Sequence, residues 1–361
     1  MKINSGLMAK IEERRGATAI MAGIMLFVLV AISALAIDVG YILASRNELQ
    51  NIADASALAA ASQLGSIYAG MTYDEQQAYL CDPSTLIAMA KDIALKNKAA
   101  GLNISIADGD VIVGVWDKTN RVLTPTLNHP DAVSVTARRD NSANGKVATF
   151  FASVFGQSDV PLSAVATASL TGQGTALPGG VPLPIGISKA RVEAGCPNNG
   201  EIQFAPTGTW EGCAGWMVYD TSPASDSKLR AILDGLTNGT YQSPATYAGS
   251  TYFNFIGGEL STNTFEAFQN LFDAMKIKND GTMDADNDPN SWTSTLVVYD
   301  RDDCSNPNQS IKIVGFTTVT IYEVTCHPKS IKARFKCDYI DLGRGGGGNS
   351  GNIGTIPGLV K

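Results

Sequence analysis

From Ala17 to Ile37 the chain runs ATAIMAGIMLFVLVAISALAI, 21 residues with no charged position. As a helix that stretch is about 31 Å long at 1.5 Å per residue, the thickness of a bilayer's hydrocarbon core. Lys2, Lys10, Arg14 and Arg15 precede it, so the positive-inside rule keeps residues 1–16 in the cytoplasm and exports the chain beyond the span. Ala17, Gly23, Phe27 and Ile37 mark the predicted anchor. Ala34-Leu35-Ala36 offers a rival reading as a signal-peptide cleavage site. Helical character continues beyond it, however, which favours retention. Ala19-x-x-x-Gly23 would also let a second helix approach closely.

Past the apolar run the pattern stays helical to Leu64, but large side chains thin out. Ala53, Ala55, Ala57 and Ala59 to Ala61 make a smooth, helix-prone surface on which Ile42, Leu49, Ile52 and Leu64 stand out. Arg46, Leu49, Gln50, Asp54, Ala57 and Ala61 are the candidate interaction residues of this helix. The competing reading packs the same face inside its own domain.

Further along, Asp82-Pro83-Ser84 introduces a helix over 86–100. Ile104 to Ile106 and Val111 to Trp116, flanking Asp108-Gly109-Asp110, predict a hairpin. Val133, Val135 and Ala137 alternate with polar residues as in a half-buried strand. A short helix is predicted over 147–155 and a strand over 160–170. Long helices and an antiparallel sheet after them give an α+β domain over 38–171. The composition of 172–180, GQGTALPGG, reads as a linker. A β-rich, disulfide-bearing second domain is predicted over 181–342, with helices at 225–235 and 264–275 and strands at 295–300, 311–325 and 331–340. In the last, Ile331, Ala333, Phe335 and Cys337 share one face while Lys332, Arg334 and Lys336 share the other. Residues 343–361, with glycine at 345–348, are expected to form a flexible tail.

Composition narrows the function. Apolar residues are 44% of the chain, so a core can form, and the net charge of −7 disfavours nucleic-acid binding. All six cysteines, Cys81, Cys196, Cys213, Cys304, Cys326 and Cys337, lie C-terminal to the apolar run. An even number on one side of a membrane suits disulfides in an oxidising compartment, though 15 pairings remain open. With only His129 and His327 for bases, a catalytic set is hard to assemble. His327 adjoins Cys326, but neighbours on a strand face opposite ways. No nucleophile-elbow, phosphate-loop or zinc-protease motif occurs, so no catalytic residue and no cofactor is expected. Asp284, Asp286 and Asp288 alternate in an acidic turn. Such carboxylates could hold calcium, but Pro289 and Thr295 break the EF-hand pattern, and a solvated turn is the simpler reading. Trp210, Trp216 and Tyr219 fit either core packing or an aromatic binding surface.

Several segments resemble known sequence. Arg15-Gly16-Ala17, Asp38-x-Gly40, Arg46, Leu49-Gln50 and the run Ala53 to Ala61 resemble the TadE/TadG-like N-terminal region of Flp (tight adherence, Tad) pilus-assembly proteins. Val113 to Asp117, Ala132 to Arg138, Phe150 to Gly156 and Ala164 to Ala168 resemble the Tad-like module next to it in TadG-type proteins. The resemblance covers roughly residues 14 to 170. It implies a TadG-like accessory protein of the bacterial inner membrane, acting on other pilus-assembly membrane proteins from the periplasm. The chain departs from pilin-like members at Met21, where they carry glutamate five residues after the processed glycine. It also lacks the metal motif of a von Willebrand factor A module. A surface adhesin or secreted binding protein using the cysteine-containing module is the alternative.

Overall fold

A computed structural model describes residues 5–194, 200–204, 213–276, 288–305, 307–337, 339–341, 345–347 and 350–361, with side chains from residue 18 onward. The fold is α+β. One helix, α1 (Ser5–Ala69), carries the apolar run straight into the alanine-rich segment. Three shorter helices of note are α2 (Ser84–Leu95), α3 (Asp226–Asn238) and α4 (Thr262–Lys276). Backbone contacts divide the chain into two units: residues 1–56, 87–111 and 134–166, and residues 57–86, 112–133 and 167–361.

In the first unit the smooth helix face is interior. Leu49 and Ala53 are fully buried, as are Ala90, Ala94, Val135 and Ala137. Arg139 is buried with them, and its guanidinium donates to the carbonyls of Ala99 at 2.8 Å, Gly145 at 2.8 Å and Lys146 at 3.1 Å. A cation can sit there because each of its three nitrogens donates to a fixed backbone carbonyl.

Two main sheets follow, the larger of them in the second unit. The larger takes in β5 (Ile185–Ser188), β6 (Glu201–Phe204), β7 (Ala214–Met217), β8 (Tyr252–Ile256), β9 (Trp292–Tyr299), β10 (Ser310–Cys326) and β11 (Lys329–Phe335). Their order is β6-β11-β10-β8-β7-β5-β9, and β9 also pairs with β10, so five strands close on themselves. Closure leaves those strands without open edges. Trp216 packs against Phe265 and Phe268 of α4, with ring centroids 5.6 Å and 5.2 Å apart. It therefore belongs to the core beside the sheet, as does the fully buried Tyr219. Ser225 caps α3 and Gly239, at φ +75°, ends it.

The other sheet comprises β1 (Val111–Asp117), β2 (Val122–Pro125), β3 (Ala132–Arg139) and β4 (Leu162–Gln173), joined by β12 (Ile340–Asp341) and β15 (Ile353–Leu359). Its order is β12-β15-β4-β3-β1-β2. Several expectations are corrected here. The hairpin is β1–β2, with Gly114 opposite Pro125, and Asp108–Asp110 is a single 3-10 turn leading into it. Residues 147–155 hold a two-residue strand and a 3-10 turn in place of one helix.

Gly172 and Gln173, read as linker, extend β4. The C-terminal residues, read as a flexible tail, pair with it. Leu359 lies opposite Ala168, Ile353 opposite Gly172, and Gly346 (in β13, Gly346–Gly347) opposite Gln173. β14 (Ser350–Gly351) joins β10 in parallel.

Glycine is required in this region because backbones touch. A Cβ on Gly347 would collide with the Gln173 carbonyl, and one on Gly315 with that of Ser350. Gly65 of α1 meets the Thr355 carbonyl of β15 in the same way. Gly65→Ala should therefore lower stability by roughly 1–3 kcal/mol despite alanine's better helix propensity. Urea unfolding measures it, and a neutral or stabilising result would mean that β15 does not lie against that turn.

Candidate functional site

Two places gather polar chemistry, one in each unit. The first begins at Asp38, the residue after the apolar run. Asp38 is 2% exposed, yet it forms no ion pair among the described residues; its carboxylate accepts three backbone N–H groups instead. Phe150 donates to Oδ1 at 2.8 Å, while Phe151 and Ala152 donate to Oδ2 at 3.0 Å and 2.6 Å. Burial on its own would raise the carboxyl's pKa, but the three donors together outweigh it and hold the group below its ordinary value. The donors sit at the tip of a hairpin closed by Val147 opposite Val160 and Ala148 opposite Asp159. A 3-10 turn, Ala152–Phe155, comes next and ends at Gly156, which adopts φ +88°. Tyr41, one turn along α1 from Asp38, meets the Phe150 ring edge-on at 5.0 Å. In the sequence, Asp38 and this phenylalanine pair stand out only as parts of a resemblance. The signal available was a lone carboxylate directly after an apolar run, which must find donors wherever it is buried.

The second is a cavity of about 500 Å³ in the other unit, lined among others by Lys118, His129, Asp131, Arg191, Lys336 and Tyr339. Asp131 accepts from the Trp116 N–H at 2.7 Å. Burial pushes its pKa up to about 6, although the Trp116 hydrogen bond and the charge of Lys118 both pull it down. Burial also lowers the pKa of Lys118 and of Arg191, whose guanidinium lies 5.6 Å from the centre of the Phe335 ring. The wall is thus cationic with one buried acid. His129, given no role from sequence, is part of it.

The residues singled out by sequence fall into distinct places. Gly23, Phe27 and Ile37 are exposed on α1, and Ala17 lies within that helix. Among the described residues none from 18 to 37 is buried, and α1 is long and apolar enough to cross a membrane. Of the interaction residues, Leu49, Ala57 and Ala61 are fully buried. Their burial fits the reading in which this face packs inside its own chain, where small side chains let α1 approach its neighbours closely. Arg46 is exposed, while Gln50 donates to Asp54 at 2.7 Å and to the Val165 carbonyl at 3.3 Å.

Cys213 and Cys304 form a disulfide. Cys337 is disulfide-bonded too. Cys81 and Cys326 are free thiols, which corrects the expectation that all six cysteines enter bridges. Burial raises the pKa of both, so neither is poised as a nucleophile. Cys196, Trp210, Asp284 and Asp286 lie outside the described residues. Asp288 accepts the Asn290 N–H at 2.9 Å, as in a solvated turn. Among the described residues no group of three or more His, Cys, Asp or Glu converges to hold a metal. On β11 the basic face pairs across strands, Lys332 with Glu323 at 2.9 Å and Arg334 with Glu201.

A helix long and apolar enough to cross a membrane continues into an α+β fold, which makes its apolar stretch a candidate membrane anchor. Residues 16–63 match the family model described as "Putative Flp pilus-assembly TadE/G-like", and residues 45–168 match "Putative Tad-like Flp pilus-assembly". Together the two matches span 16–168, somewhat less than half of the chain, and agree with the resemblance. No curated protein and no solved structure matches the chain.

Proposed function

We propose that the chain is a non-enzymatic accessory component of Flp pilus assembly, held in the inner membrane by Ala17–Ile37 and working through protein contacts in the periplasm. The observation that carries this reading is the continuity of α1. One helix supplies both the apolar span and the packed alanine face, and the two family matches overlap along it. Such a helix would fix the folded domains at a set height above the bilayer, where they can meet other pilus-assembly membrane proteins. The cations before residue 17 orient it with the N-terminus in the cytoplasm.

Arginine at both Leu26 and Leu29 tests the role of the span. Each substitution near a helix centre costs roughly 2.5–3.5 kcal/mol of insertion free energy. In cells that assemble Flp pili and lack the native chain, the double variant is expected to leave the membrane fraction and to fail to restore pili. Full piliation by a soluble variant would refute an anchored role.

A further inference from the structure

The tip held by Asp38 carries an apolar patch that its own domain does not cover. Phe150 and Phe151 are exposed, and Val154 and Phe155 are each 81% exposed. Four large exposed apolar side chains within six residues are a concentration unlike the scattered singles of an ordinary soluble face. Its location points to what covers it. The carboxylate that grips the backbone at 150, 151 and 152 belongs to the first residue beyond the uncharged stretch. The patch is therefore tied to the point where α1 emerges from its apolar run, and it continues the exposed apolar surface of that helix.

We infer that this tip enters the interfacial zone of the bilayer as a second membrane contact beside α1. The inference rests on the anchor reading proposed above. Its backbone is prepared for a place where water is scarce. Besides the three N–H groups given to Asp38, Val154 donates to the Phe151 carbonyl, Gly156 to Ser153 and Gln157 to Ala152, each at 3.1 Å. The Asp38 carboxylate is likewise solvated by fixed donors, so it can lie at the edge of the hydrocarbon without being bare. Tyr41, edge-on to Phe150, stands where aromatic residues commonly mark the membrane boundary. A tip seated this way would stop α1 from rotating about its axis and set the orientation of the domain above it.

The test places a tryptophan by Phe155→Trp in the full-length chain, reconstituted in phosphatidylcholine–phosphatidylglycerol vesicles with acyl chains brominated near the carbonyl end. Val122→Trp, on an exposed strand position, serves as reference, and the emission of the unsubstituted chain is subtracted. The expected result is a blue-shifted Phe155→Trp signal that loses intensity in brominated relative to plain vesicles, with no such loss for Val122→Trp. Adding Asp38→Ala should relax both the shift and the quenching. Red, unquenched emission from a chain that resists alkaline carbonate extraction would overturn the inference and leave the anchor standing. Blue-shifted but unquenched emission would assign the tip to a protein neighbour and likewise overturn it. A chain that washes off the vesicles would instead overturn the anchor.

Discussion

Replacing both Cys213 and Cys304 by alanine is expected to lower the stability of the second unit by roughly 3–5 kcal/mol, a drop on the order of 10 °C in midpoint. The bridge closes a loop of 91 residues, and long loops lose the most unfolded-state entropy when cross-linked. It also joins the residue preceding β7 to the segment after β9, so it ties two strands of the closed ring. Cys213 is fully buried, and truncating it adds a packing loss to the entropic one. Cys326→Ser serves as the contrast. That thiol is only partly buried and contacts Gln269 at 3.3 Å, so its loss should change stability by about 0.5 kcal/mol or less. Calorimetry of the two variants beside the parent, with and without reductant, measures the difference. Equal midpoints for the alanine pair and the parent would mean that the bridge is dispensable.

The second large effect is a pH dependence centred on Asp131. Its folded pKa of about 6 lies above the ordinary 3.8 because burial penalises the charged form. A raised folded pKa means the native state holds a proton that the unfolded chain releases. The stabilisation is then complete below pH 3.8 and lost as pH rises through 6. Across that window the shift corresponds to roughly 3 kcal/mol. Asp131→Asn keeps an oxygen to accept the Trp116 N–H but cannot ionise. Its urea midpoint should therefore fall less than the parent's between pH 4 and pH 7, with the gap opening toward neutrality. Parallel curves for the two proteins would show that Asp131 is already ionised in the cavity at low pH, its charge matched by Lys118 and Arg191.

Much of the architecture could be read locally. Twenty-one residues without a charge, then closely spaced alanines, have few alternatives to a long helix. Alternation at Ile331, Ala333 and Phe335 defined the buried face of a strand because that face has only one place to go. The C-terminal residues show where local reading ends. Four consecutive glycines have the composition of a flexible tail, yet Gly347 is needed for its close approach to Gln173, a partner 174 positions earlier. Composition records the missing side chain but not the reason for it. The Asp108-Gly109-Asp110 turn misled in a related way: a good hairpin signal became a 3-10 turn because β1 found its partner on the other side, in β2. Asp38 was visible as a charge. Its donors lie 112 to 114 residues away, and no local pattern connects them.

An anchored role requires α1 to remain whole in a bilayer. Alkaline carbonate extraction of membranes from cells making the native chain, with intact-mass measurement of the resistant fraction, addresses this directly. The expected result is a carbonate-resistant chain whose mass includes Ala17–Ile37. A carbonate-soluble chain beginning near Ile37 would contradict it, and a secreted binding protein would then fit the same fold better.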